Sequence, residues 1–104
     1  MSTETIEVTD VADRGRYEVT VDGTVAGYCD HHERDGVMVL PHTVVDPRYR
    51  GRGLAGRLVR RALDDARAQG LSVAPQCWYV AQYIGEHPDD LDLVPEADRP
   101  RYGL

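Results

Sequence analysis

The sequence predicts an α/β domain: a mixed, mostly antiparallel sheet with one crossover helix and a short C-terminal helix. Three observations carry that reading. Arg16–Val21, RYEVTV, alternates apolar and polar side chains with the two-residue period of a strand and runs into Asp22-Gly23, a hairpin turn signal. From Gly53 to Gln69, the residues Leu54, Ala55, Leu58, Val59, Ala62, Leu63 and Ala66 share one broad helical face, and Gly70 is a natural stop. A strand over Leu71–Cys77 and a short helix from Trp78 to His87 follow, ended by Pro88.

The remaining elements fall between these. Residues 1–15 read as a flexible, at most weakly paired N-terminus. VAGYCDHHE, from Val25, is the returning strand of the hairpin, and Arg34–Gly36 is a second turn. VMVLPHTVV, Val37–Val45, is a third strand whose Pro41 implies a bulge or an unpaired position. DPRYR bridges to a glycine loop. The acidic stretch after Pro88 predicts one more short strand or coil. The order is β-β-β-α-β-α, with a single domain over 16–95 and a tail over 96–104.

With 104 residues the chain bounds one small domain. It has no apolar run long enough for a membrane span. Its polar, acidic start is unlike a signal peptide or presequence, which predicts a cytoplasmic location and no membrane partner. Cys29 and Cys77 read as reduced thiols rather than a disulfide framework. A net charge of −6 argues against nucleic acid as a partner. All twelve basic residues are arginine, as a GC-rich coding sequence would give. Arg48, Arg50, Arg52, Arg57, Arg60 and Arg61 cluster, while the acids concentrate elsewhere. That distribution suits an anionic ligand at the cluster and a cationic one nearby.

Gly51, Gly53 and Gly56 formally satisfy G-x-G-x-x-G, and three loop types can be weighed here. A dinucleotide fold wants its first glycine at the end of a strand and an acid at the end of the next strand. Here DPRYR intervenes and the next strand ends in Gln76-Cys77. A Walker A loop needs a lysine, and the chain has none. The pattern that fits its surroundings is Arg-x-x-Gly-x-Ala, at Arg50, Gly53 and Ala55, after a β-branched strand and opening an amphipathic helix. Amides of such a loop and first turn converge on an anion.

This loop resembles the pyrophosphate-binding motif of the GCN5-related N-acetyltransferase superfamily. The longer stretch HTVVDPRYRGRGLAGRLVRRALDDARAQGLSVAPQCWYVAQYIGEHP is similar to the small, single-domain members. Those share a His-Thr-Glu-Val segment, the glycine loop, and a cysteine before a short aromatic helix ending in His-Pro or Asn-Pro. The likeness runs from Arg16 to about Val94, with one departure: the usual glutamate after His-Thr is Val44.

The resemblance implies acetyl-CoA, or another acyl-CoA, as the donor and an amine of a small molecule or a protein as the acceptor, with no metal. It implies that the backbone of Thr43, Val44 and Val45 pairs with the pantetheine arm, and that the Val45 amide stabilises an oxyanion. Arg50, Gly51, Arg52, Gly53, Leu54, Ala55 and Gly56 would hold the pyrophosphate, with Arg48 or its neighbours reaching the 3′-phosphate. Tyr83 reads either as a proton donor to the CoA thiolate or as core packing. Cys77 reads as an active-site residue, an acyl acceptor or general acid, or else as a small buried hydrophobe. The helix N-terminus after it favours a reactive thiol. His42 is a candidate base or a structural hydrogen-bonder. CDHHERD, Cys29–Asp35, looks like a metal cluster, but neighbouring histidines on a strand face opposite ways. The reading is a direct N-acetyl transfer; the alternative is an acyl-CoA-binding module with little catalysis. Monomer and dimer both remain open, since a partner copy would supply a missing acceptor wall.

Overall fold

The computed structural model describes residues 3–104. Seven strands and two helices follow one another: β1 (Ile6–Val11), β2 (Arg16–Val21), β3 (Thr24–Asp30), β4 (His32–Arg34), β5 (Val37–Val39), β6 (Thr43–Val45), α1 (Leu54–Ala68), β7 (Ser72–Ala74) and α2 (Trp78–Glu86). The strands form two sheets, ordered β1-β2-β3-β6 and β4-β5-β7. All pairings are antiparallel except β5 with β7, whose parallel crossover runs through β6 and α1. Among the described residues no helix is long and apolar enough to cross a membrane.

The N-terminal segment departs from the flexible start expected for residues 1–15. Ile6–Val11 pair along their whole length with β2. Their alternation is diluted by threonine and acids, and Ile6 and Val8 reach the core edge only because β2 lies beside them. Met1 and Ser2, which that expectation also covered, lie outside the described residues. The acidic segment after α2 forms neither strand nor plain coil. It forms 3-10 turns over Pro88–Leu93 and Glu96–Tyr102. Leu93 and Val94, between the turns, are buried in the core.

Two expected strands change partner midway. The chain from Thr24 bends at His31, so β3 stays with β2 while β4 pairs β5. The chain from Val37 bends at Pro41-His42, so β5 pairs β7 while β6 pairs β3. Leu40 still bonds across to the β7 side, its N–H donating to Ala74 O at 3.0 Å and its carbonyl accepting from Cys77 N–H at 2.9 Å. Three residues later Thr43 is paired with Cys29 instead. Pro41 carries no N–H, so the turn of direction strands no donor there. The outcome is a V between β6 and the end of β7.

The core lies between one face of the β2–β3 sheet and the two helices. Tyr17, Val19 and Val21 of β2 meet Leu54, Leu58, Val59, Ala62, Leu63 and Ala66 of α1, all buried. The apolar stripe read from the sequence is therefore the face α1 presents to the sheet. Tyr17 Oη donates to Asp65 at 2.8 Å, and Arg61 donates to Val8 O at 2.9 Å, fixing α1 against β2 and β1. Arg60 grips the buried Asp90 through Nη1 and Nη2 at 2.7 and 2.8 Å, anchoring the C-terminal turns to α1.

Gly27 sets the distance between β3 and β6. A Cβ there would stand 2.6 Å from Val44 O and 3.1 Å from Val45 Cα. Backbone atoms of a paired strand cannot yield as a flexible side chain would. Gly27→Ala is expected to destabilise the fold by about 2 kcal/mol. The measurement is thermal unfolding by circular dichroism, and an unshifted Tm would mean the strands are not this close.

Arg60 also holds the Asp90 carboxyl below the usual carboxylate range. A group lowered on folding adds stability above its unfolded pKa, about 3.9 for Asp, and loses it as pH falls through the folded value. Asp90→Asn should cost roughly 1–2 kcal/mol at neutral pH, between the values for exposed and buried pairs. It should also flatten the loss of stability on acidification. Urea unfolding at neutral and acid pH reads both effects; equal losses in mutant and wild type would remove Asp90 from the account.

Candidate active site

The glycine loop opens α1 with nothing in it to satisfy its own amides. Gly51 and Gly53 have φ of 78° and 74°, the left-handed region that side chains disfavour. Gly53 is the N-cap of α1, without a side-chain cap bond and with no acidic residue in the first turn. Among the described residues, no N–H from Gly51 to Gly56 donates to another residue, while Arg50 N–H bonds Pro47 O and Arg57 N–H bonds Gly53 O. A Cβ at Gly51 or Gly53 would meet no atom within 4 Å, so the space above the loop is open. Unpaired amides, an uncapped helix start and open space together suit an anion.

A cavity of about 280 Å³ lies over this loop. It is lined by Val45, Tyr49, Arg50, Gly51, Arg52, Gly53, Leu54, Ala55 and Tyr79. The loop and the end of β6 therefore share one space.

β6 is the edge of its sheet, and its hydrogen-bond phase decides which groups are free. Asp46 N–H donates to Ala26 O, and Asp30 N–H donates to His42 O. Antiparallel pairs alternate between bonded and non-bonded, which makes Tyr28–Val44 the bonded pair between them. The Val44 backbone is thus spent on β3. The N–H and C=O groups of Thr43 and Val45 point to the open edge, toward the V. Only two of the three residues expected to offer their backbone can do so.

The side chains of β6 divide the same way. Thr43 turns inward and donates from Oγ1 to Cys29 Sγ at 3.6 Å. Burial raises the Cys29 thiol to about 11. Val45 lines the cavity, and Val44 stands on the opposite, outer face, 43% exposed. The acid that Val44 replaces would therefore have stood on the outer face of the sheet, beside Tyr28.

Cys77 lies at the vertex of the V. It is the N-cap of α2 and buried, and its N–H is held by Leu40 O at 2.9 Å. It does not line the cavity over the loop. Tyr83 also stands outside that cavity. Its ring stacks on His87 with centroids 3.9 Å apart, and it borders a separate groove beside Gly56. Of the two tyrosines of α2 it is Tyr79, one turn earlier on the same helix face, that lines the cavity, with Tyr49 beside it. Burial, ahead of its acidic neighbours, raises the Tyr79 hydroxyl above its ordinary pKa. The i, i+4 spacing of Tyr79 and Tyr83 was visible in the sequence; which of them faces the loop depends on how α2 packs.

The arginine cluster is divided by its partners. Arg48 turns back on Asp46 at 2.8 Å, and Arg52 pairs with Glu4. Arg60 is held by Asp90 and Asp64, and Arg61 by Asp65. Among the described residues, Arg50 and Arg57 have no carboxylate partner. The 3′-phosphate role given to Arg48 or Arg52 would require breaking an existing pair.

His31 and His42 are likewise placed by carboxylate partners. His31 bonds Asp10 at 2.7 Å, and its ring lies tilted against Tyr17 with centroids 4.4 Å apart. His32 is exposed on β4. His42 stands exposed on the outer face with Nδ1 3.2 Å from Asp30 Oδ2.

Comparison with known proteins agrees with this architecture. A family model described as GCN5-related N-acetyl-transferase matches residues 16–93. Protein NATD1 of Gallus gallus is 40% identical over 52 residues, which is 50% of this chain and 47% of that protein. Protein NATD1 of Homo sapiens is also 40% identical over 52 residues, 50% of this chain and 46% of its own length. The match spans about half the length of those relatives. Among solved structures, the ribosomal-protein-S18-alanine N-acetyltransferase from Escherichia coli superposes with a TM-score of 0.56 at 16% identity, over 68% of this chain and 64% of that one. The N-acetylglutamate synthase from Neisseria gonorrhoeae, complexed with coenzyme A and N-acetyl-glutamate, gives 0.52 at 20% identity, over 85% of this chain and 22% of that one. At those identities the likeness is one of fold. The matched residues take in the bent strand, the loop, α1 and α2, and the chain belongs to the GCN5-related N-acetyl-transferase family.

Proposed function

We propose that this protein transfers an acyl group from an acyl-CoA, acetyl-CoA foremost, to an amine that attacks the thioester directly. The observation that carries the reading is the run of uncommitted amides from Gly51 to Gly56 at the uncapped start of α1. In this reading those amides and Arg50 hold the pyrophosphate, the helix dipole adding to the attraction. The free groups of Thr43 and Val45 pair with the pantetheine arm. The Val45 N–H faces the thioester oxygen and stabilises the charge it gains as the amine attacks. Tyr79, kept protonated by burial, supplies a proton to the leaving thiolate.

His42 is the candidate base for the amine. Asp30 holds Nδ1 and leaves Nε2 toward solvent. His42 lies on the same outer face as Val44, two residues away, and so stands near the place of the family's glutamate. A second reading, acyl-CoA binding without turnover, is favoured by Val44 itself, which leaves no carboxylate at that position.

Two experiments divide these readings. Gly53→Glu places a negative side chain over the loop and forces a left-handed φ; it should abolish acetyl-CoA binding measured by isothermal titration while the circular dichroism spectrum is retained. Equal binding by mutant and wild type would sink the donor site. His42→Gln should leave acetyl-CoA affinity unchanged and lower turnover on an amine panel about 10²-fold. Binding with no turnover in the wild type would leave the second reading standing.

A further inference from the structure

We propose that the acceptor is a primary amine with an apolar body, an alkyl or aryl amine, seated in a groove on the outer face of the sheet over Val25, Tyr28 and Val44. This rests on the acyl-CoA reading above and names the substrate class of its acceptor side.

The groove, about 250 Å³, is lined by Val25, Gly27, Tyr28 and Val44, with Arg16 and Asp46 at its borders. Val25 and Val44 are each 43% exposed, and with Trp78 they are the exposed large apolar side chains among the described residues. On a regular strand Val25 and Tyr28, three residues apart, would face opposite ways. The register of β3 on β2 shifts, pairing Val19 with Gly27 and Thr20 with Val25. Ala26 is the extra residue of this bulge, and it turns Val25 to the face that carries Tyr28 and Val44.

The charges at the borders are already spent. Arg16 pairs with Glu18 at 2.8 Å and lies over the Tyr28 ring, 4.3 Å from its centroid. Asp46 is held by Arg48 at 2.8 Å. The lining thus offers no uncommitted cation to an acidic acceptor and no uncommitted carboxylate to a second ammonium. An apolar body is what such a surface complements. The polar end open to the amino group is His42, two residues from Val44 on the same face and 3.2 Å from Asp30. There the amine nitrogen bonds to the thioester carbon and gives its proton to His42 Nε2, while the C–S bond breaks and its electron pair leaves on sulfur. The glutamate usual at position 44 would put a charge inside the groove; Val44 keeps it apolar.

The test is steady-state kinetics with acetyl-CoA and propylamine, butylamine, pentylamine and hexylamine, amines of like basicity, with spermidine beside them. Wild type should gain about two- to threefold in kcat/KM per added methylene, as a partly buried CH₂ would give. It should use hexylamine about tenfold or more better than spermidine, whose further ammonium groups find no partner. Val44→Glu and Val25→Glu, both at exposed positions, should each flatten the series and improve spermidine, with acetyl-CoA affinity by isothermal titration as in wild type. A flat series, a preference for spermidine, or no turnover of any amine by a wild type that binds acetyl-CoA overturns the acceptor assignment while the donor site survives. Folded variants that both keep the wild-type slope overturn it as well. A wild type that binds no acetyl-CoA overturns both.

Discussion

The change of partner between Leu40 and Thr43 is the constraint on which the rest of the structure depends. A strand that stayed beside β7 through Val45 would have both edges satisfied, and no backbone groups would be left for a ligand. Because the chain turns at Pro41-His42, Leu40 closes one end of a V with Ala74 and Cys77, and β6 opens the other end against β3. The turn holds only because β6 finds a full ladder on its new side. That ladder requires the close approach at Gly27, where a side chain would collide with Val44 O. A missing side chain on β3 thus decides which edge of β6 is free.

Electrostatics works by subtraction. The sequence places six arginines around the loop in an acidic protein, which suggests a broad anion site. The fold spends most of them: Arg48 on the turn after β6, Arg52 on the N-terminal segment, Arg60 on the C-terminal turns, Arg61 on the β1 side of α1. Such pairs serve to hold elements together and leave little net field. What remains of the cluster among the described residues is narrow, the guanidiniums of Arg50 and Arg57 without a carboxylate partner, flanking a loop of unbonded amides. A charge count could not have shown that, because the partners Glu4, Asp46 and Asp90 lie in three different parts of the chain.

The legible parts of the fold were those with local causes. α1 declares itself by its apolar period, and the loop by glycines whose left-handed φ is now seen at Gly51 and Gly53. Pro41 announced an irregularity without saying that the strand would change sheets, since that outcome is set by what lies on either side of it. β1 was hidden because Ile6 and Val8 are separated by polar residues and make sense only beside β2. Tyr79 was hidden for a related reason. Tyr79 and Tyr83 are equivalent in sequence, and the choice between them is made by the packing of Val80 and Ile84 into the core. The Val44 substitution was visible at once, but its meaning was not: it required knowing that Val44 faces the outer side of the sheet while Val45 faces the cavity.

That opposition separates the two halves of the proposed reaction. The proposed donor side is made chiefly of backbone groups, the Val45 amide and the amides from Gly51 to Gly56, whose positions follow from strand phase and helix start. The proposed acceptor side is made of side chains on the outer face, Tyr28, His42 and Val44, and among the described residues no helix covers them. In the proposed reaction the Val44 departure therefore falls on the acceptor side, away from the groups proposed to grip CoA.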